Sequence, residues 1–181
     1  MKNDKKKYVI PNVCNFQNIN PKTIDAYIAT FGKAVGTFGA FIAGSRDLID
    51  LLIQKSKPYI YSTSLPAAIV EATRTSLKII MKDYNLFEKL DRNISLFRKY
   101  AINAGLNINY SITPIQTITI GNPLKVIKIQ NLLLKKGIFV QAIRYPTVPK
   151  NYDKIRITIT SKHKKEHLRK LINCLIEELK L

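Results

Sequence analysis

Apolar residues in the second half of the chain recur at two different periods. Leu168, Leu171, Ile172, Leu175, Ile176 and Leu179 fall at i, i+3, i+4, i+7, i+8 and i+11, which predicts an amphipathic terminal helix. Leu90, Ile94, Phe97 and Ala101 draw a similar stripe on a helix over about 86–104, with Gly105 marking its end. Between these two helices the pattern predicts strands over 115–120, 138–143 and 154–160 and a helix over 123–136 stopped by Gly137. In KIRITIT, Ile155, Ile157 and Ile159 share one face of the strand, which turns Arg156 to the other.

The first half is less regular. Residues 1–20 are polar and broken by Pro11, with Pro21 just beyond, and they read as a tail. A short buried strand is predicted over 24–30 and a second over 40–45, joined by a glycine-rich stretch. Ser45 is placed to cap a helix carrying Leu48, Ile49, Leu52 and Ile53. After Pro58, YIYSTS reads as extended, and Pro66 opens a helix through about Met81. Strands alternating with helices on this scale predict an α/β or α+β module with one sheet, without repeats or low-complexity segments.

Composition adds limits. The chain has 181 residues, 46% of them apolar, enough for one cored domain or one domain plus part of another. No apolar run is long enough to span a bilayer, and MKNDKKKYVIPN lacks the apolar stretch of a secretory signal. Cys14 and Cys174 stand far apart with no metal-ligand spacing, and a reduced, cytoplasmic setting without a membrane or metal is expected. His163 and His167, four apart, have no carboxylate or thiolate cluster to complete a metal site. Cys174 is expected to pack as a small apolar residue.

A formal net charge of +18 raises a different possibility, a basic nucleic-acid-binding module. The cations are scattered, however, apart from KKK at 5–7 and KHKK at 162–165, and no aromatic residues alternate with them as base-stacking would require. Nucleic acid is therefore the weaker alternative.

Specific chemistry centres on TFGKAVGTFGAFIAGS, residues 30–45, where Lys33 sits among Gly32, Gly36, Gly39 and Gly44. An amine becomes nucleophilic when desolvation or a neighbouring cation lowers its pKa. A lysine flanked by Gly and Ala after a buried strand is expected to lie in a tight, partly dry place. Thr30 offers a hydroxyl near an anion bound beside the amine, and glycines let backbone N–H groups approach a phosphate. A phosphate-bearing aldehyde cofactor fits these features, and pyridoxal phosphate is the common one. The spacing alone favours a lysine in a flexible loop, and it does not match a P-loop.

Four segments carry a resemblance. TFGKAVGTFGAFIAGS, YIYSTSLPAAIVEATRTSL (59–77), PIQTITIGNP (114–123) and VQAIRYPTVPKNYDKIRITITSKH (140–163) resemble, in family order, the α-oxoamine synthases. These are fold-type-I pyridoxal-phosphate enzymes, and the likeness covers about residues 22–181. It implies the end of a large α/β domain over 22–83 and a C-terminal α+β small domain over 84–181, after a basic irregular tail at 1–21. By position, Lys33 matches the lysine that binds the cofactor and shuttles the substrate α-proton, and Thr30 a ligand of its phosphate. Ser62 and Thr63 match residues reaching phosphate or substrate across a dimer interface. Arg156 matches the arginine that pairs with the amino-acid carboxylate, while Arg144 and Thr147 match positions lining the acyl-substrate side.

AIRYPTVP followed by IRITIT points, within the family, to the member condensing a pimeloyl thioester (on CoA or a carrier protein) with alanine in biotin synthesis. Glycine-using siblings such as glycine C-acetyltransferase or 5-aminolevulinate synthase are the alternative. The family's pyridine-nitrogen aspartate and ring-stacking histidine precede the lysine. Here no histidine precedes Lys33, and Asp4 and Asp25 stand in no family motif. The expectation is that most of the large domain is missing and that strands 24–30 and 40–45 lack sheet neighbours. The chain would then be inactive alone, as a gene remnant, or would pair with a separately encoded N-terminal half or a second copy. A third outcome is weak cofactor capture through Lys33.

Overall fold

The computed structural model describes residues 18–179, so Cys14 and most of the expected tail lie outside the described residues. The chain divides into an N-terminal unit ending at Tyr84 and a C-terminal unit beginning at Asn85.

In the N-terminal unit a single 3-10 turn, Pro21–Thr23, precedes an antiparallel pair, β1 (Ala26–Thr30) and β2 (Ala40–Gly44). The register runs from Ala26 opposite Gly44 to Thr30 opposite Ala40. Tyr27, Phe31 and Phe41 form a ring cluster, with the Phe31 and Phe41 centroids 5.5 Å apart. Helix α1 (Arg46–Lys55) starts where Ser45 Oγ accepts the Leu48 N–H, an N-cap that satisfies one of the helix's free donors. Of its predicted stripe, Leu48, Ile49 and Leu52 are half-buried and Ile53 is exposed. A one-turn helix, α2 (Lys57–Ile60), corrects the extended reading of YIYSTS at its first two residues: Pro58 lies in the first turn, where its missing N–H costs nothing. Helix α3 (Ala67–Lys82) turns Ile69, Thr73, Ser76, Leu77 and Ile80 inward as a half-buried stripe.

Three helices and a three-stranded sheet form the C-terminal unit. They are α4 (Asn85–Asn103), β3 (Ile115–Thr119), α5 (Pro123–Lys135), β4 (Gln141–Ile143), β5 (Lys154–Thr158) and α6 (Lys165–Leu179). The sheet is antiparallel with order β3-β5-β4. The 3.6-residue stripes bury as the sequence predicts. Ile94, Phe97 and Ala101 of α4, Val126, Ile129 and Leu133 of α5, and Leu168, Leu171, Ile172 and Leu175 of α6 close over Ile155 and Ile157 of β5 and the adjoining Ile159. Cys174 packs among them as a small apolar residue. Asn122 Oδ1 accepts the Lys125 N–H and Pro123 fills the first turn, which fixes the start of α5.

Strand β4 is shorter than the predicted 138–143. Residues 138–140 are apolar but stay outside the ladder, since Gln141 is the first residue registered, opposite Arg156. Gln116 is buried on the core side of β3 yet fully satisfied. Its amide donates to the Ser111 and Thr113 carbonyls and its Oε1 accepts from Arg98. Among the described residues no helix is long and apolar enough to cross a membrane.

Candidate cofactor-lysine turn and carboxylate site

Lys33 sits on the loop of the β1–β2 hairpin. Phe31 ties the loop base, its N–H donating to Gly39 O (2.9 Å) and its carbonyl accepting the Thr37 N–H (3.0 Å). Inside that frame Gly36 N–H donates to Lys33 O at 3.0 Å, closing a tight turn around the lysine. The turn requires left-handed backbone at Gly36 (φ 72°) and Gly39 (φ 107°), where a β-carbon is strained. A β-carbon at Gly39 would also meet the Leu65 side chain at 3.1 Å.

The loop also hangs from α3. Ser76 Oγ donates to Val35 O at 2.6 Å, and the Thr37 and Thr73 hydroxyl oxygens lie 2.8 Å apart. Nothing in the sequence singles out Thr73 and Ser76 as anchors. Their spacing, three apart on the inward stripe, shows only that they share a helix face.

Lys33 Nζ donates to Thr30 Oγ1 at 3.4 Å, so the expected pairing of amine and hydroxyl is present. The expected dry pocket is not. Lys33 and Thr30 are exposed, and β1 alternates exposed and half-buried residues instead of being buried. A two-stranded ladder covers little, and Ile28 remains 65% exposed. Ser62 and Thr63 are exposed on the segment between α2 and α3. Among the described residues no carboxylate pairs with Lys33. An accessible amine beside the Thr30 hydroxyl suits a phosphorylated aldehyde, and the two residues fit pyridoxal phosphate in that respect.

The C-terminal unit carries the second group of candidates. Arg156 turns away from the face of Ile155, Ile157 and Ile159, as the strand period predicts. Its Nη2 donates to Oε1 of Gln141, the residue directly opposite on β4. Its Nε is buried and has no hydrogen-bond partner. An orphaned buried N–H of a cation is costly, and a carboxylate is the group that relieves it best. Arg156 and Gln141 line a groove of about 700 Å³ together with Phe139, His163, His167 and Lys170. No acidic residue lines it.

Arg144 is exposed immediately after β4, and Thr147 lies exposed in the loop beyond it. That loop is tied down by Asp153, which is 2% exposed. Its Oδ1 accepts the Tyr145 N–H, and its carbonyl accepts the Ile120 and Gly121 N–H groups. The histidines cap turns: His163 Nδ1 accepts the Thr160 N–H and His167 Nδ1 the Lys164 N–H. Burial and the neighbouring His167 push the His163 imidazole below its usual range. No cluster able to hold a metal ion occurs among the described residues.

The family model "Aminotransferase class I and II" matches residues 7–175. The chain is 41% identical over 152 residues to 8-amino-7-oxononanoate synthase of Nitrosococcus oceani, a match covering 84% of this chain and 40% of that protein. It superposes on 8-amino-7-oxononanoate synthase of Francisella tularensis with a TM-score of 0.75 at 26% identity, over 84% of this chain and 45% of that one. Serine palmitoyltransferase from S. paucimobilis, solved with pyridoxal phosphate and myriocin bound, gives a TM-score of 0.83 at 21% identity, over 92% of this chain and 42% of that one. The chain thus spans about 40% of the length of the curated relatives it matches. The shared architecture is the fold-type-I α/β fold of pyridoxal-phosphate enzymes, of which this chain covers part.

Proposed function

Because the chain belongs to the class I and II aminotransferase family of pyridoxal-phosphate enzymes, we propose that it carries the lysine and carboxylate-binding part of an 8-amino-7-oxononanoate synthase-like enzyme. The reaction joins alanine to a pimeloyl thioester with loss of carbon dioxide and release of the thiol. The observation that carries this reading is the Lys33 turn itself, with its amine 3.4 Å from the Thr30 hydroxyl, in a chain about 41% identical to synthases of that name.

Lys33 is the residue that would hold pyridoxal phosphate, through its Nζ, with Thr30 and the Ser62 and Thr63 hydroxyls as donors to the phosphate. When bound, that group supplies an electron sink for negative charge at the amino-acid α-carbon. The freed Lys33 amine takes the α-proton onto Nζ. Arg156 pairs its guanidinium with the amino-acid carboxylate, using N–H groups that Gln141 leaves unused. Arg144 and Thr147 line the side that takes the acyl chain.

The 181 residues hold no histidine before Lys33 and no motif aspartate for the ring nitrogen. A complementary N-terminal part, on the same chain or another, is the partner proposed to supply those groups, since a second copy of these residues carries neither. The test is absorbance near the visible edge after mixing the chain with pyridoxal phosphate and then alanine. A band that forms in the unaltered chain and in Arg156→Leu, but responds to alanine only in the unaltered chain, supports both assignments. An alanine response that survives Arg156→Leu rejects Arg156 as the carboxylate partner.

A further inference from the structure

We propose that Thr73 and Ser76 of α3 are positioning residues for Lys33, a role that rests on reading Lys33 as the cofactor lysine. Apart from the Phe31 bonds at its base and the Gly36 N–H to Lys33 O bond inside it, no backbone hydrogen bond between described residues ties the turn to the strands, which leaves it freedom to move as a unit. Helix α3 removes that freedom at two points on either side of Gly36. Ser76 holds the Val35 carbonyl at 2.6 Å and Thr73 meets the Thr37 hydroxyl at 2.8 Å. Gly36, at φ 72°, is the residue about which the turn would otherwise swing.

Thr73 Oγ1 lies 2.8 Å from the Ile69 carbonyl as well as from Thr37 Oγ1. A carbonyl only accepts, and Thr73 has one hydroxyl proton. That one proton is shared between the Ile69 carbonyl and the Thr37 hydroxyl oxygen, both of which accept from Thr73. The loop is therefore hung from α3 by two bonds it accepts, at the Val35 carbonyl and at the Thr37 hydroxyl. Both anchors lie within four residues of Lys33, and neither touches the amine. They set where the amine stands relative to Thr30 while leaving its chemistry to others. A 16-residue helix is a rigid reference for this, whereas a two-stranded hairpin is a poor one.

The experiment compares the full chain with Ser76→Ala, Thr73→Val and the conservative Ser76→Thr. Pyridoxal phosphate bound to lysine is trapped by borohydride, and label at Lys33 is measured by mass spectrometry against exposed Lys55 as internal reference. Amide hydrogen exchange is read over 31–39. Loss of one such bond is expected to raise exchange in that segment about five- to tenfold. The Lys33:Lys55 label ratio is expected to fall by a similar factor in Ser76→Ala and Thr73→Val and to recover in Ser76→Thr. Unchanged exchange and an unchanged ratio in both disruptive variants overturn the positioning role. A lower ratio that Ser76→Thr fails to restore also overturns it, as a packing effect. If Lys33 takes no more label than Lys55 in the unaltered chain, the cofactor reading itself fails and this role with it.

Discussion

Asn93 offers a sharp test of how the C-terminal unit holds the strand bearing Arg156. It lies on α4, 9% exposed, and its amide Nδ2 donates to Thr160 O at 2.9 Å and His163 O at 2.8 Å. Those two carbonyls belong to the turn joining β5 to α6, so one side chain fastens the helix layer to the end of the Arg156 strand. Thr160 O also accepts the His163 N–H and keeps that bond if Asn93 is truncated. Asn93→Ala therefore loses two bonds of about 1 kcal/mol each and strands chiefly the His163 carbonyl, a total of about 2 kcal/mol. For a unit of this size that is roughly 10 °C in Tm. Asn93→Asp keeps the shape but cannot donate, and it sets a carboxylate against two carbonyl oxygens. Its loss at neutral pH is expected to equal or exceed that of Asn93→Ala. Thermal unfolding followed by circular dichroism measures both. An Asn93→Asp protein as stable as the unaltered chain at pH 7 refutes the two-donor bridge.

Other expectations concern the core and pH. Phe97 is fully buried at the centre of α4's stripe, and Phe97→Ala is expected to cost about 3–5 kcal/mol by urea denaturation. A loss below 1 kcal/mol would mean the helix layer does not pack as described. His163 holds its Thr160 cap only through an unprotonated Nδ1, and its pKa is lowered by burial and by His167. The folded form thus binds the proton less readily than the unfolded form. Stability from this group is complete above the ordinary value of 6.5 and is lost as pH falls below it. Midpoints measured from pH 7.5 to 5 are expected to drop less steeply in His163→Gln than in the unaltered chain, and parallel curves would contradict the cap.

The stripes of α4 and α6 were legible because a 3.6-residue period survives any neighbour that supplies an apolar surface. Arg156 was legible for the same reason in period 2, since isoleucines on both sides left it one face to occupy. The lysine segment was legible from its residues and glycines, but its exposure was not, because burial depends on what lies over a strand and not on the strand. Gln116 and Asn93 escaped notice because their amides donate to backbone carbonyls, and for Asn93 these lie about 70 residues away. Thr73 and Ser76 escaped it likewise, since what gives them meaning is a loop some 36 and 41 residues earlier. The Pro58 turn was misread because proline favours both extended chain and a helix's first turn. Residues 138–140 were misread because an apolar run does not say where a ladder stops.

Lys33 stands as the proposed carrier of pyridoxal phosphate. Incubating the full chain with a small excess of pyridoxal phosphate, reducing with borohydride and mapping the modified lysine tests it most directly. Label is expected to concentrate on Lys33 and the visible-edge band to be lost in Lys33→Ala, with the other lysines labelled no more than in a denatured control. Label distributed evenly over the lysines, with Lys33→Ala giving the same spectrum as the unaltered chain, would contradict it.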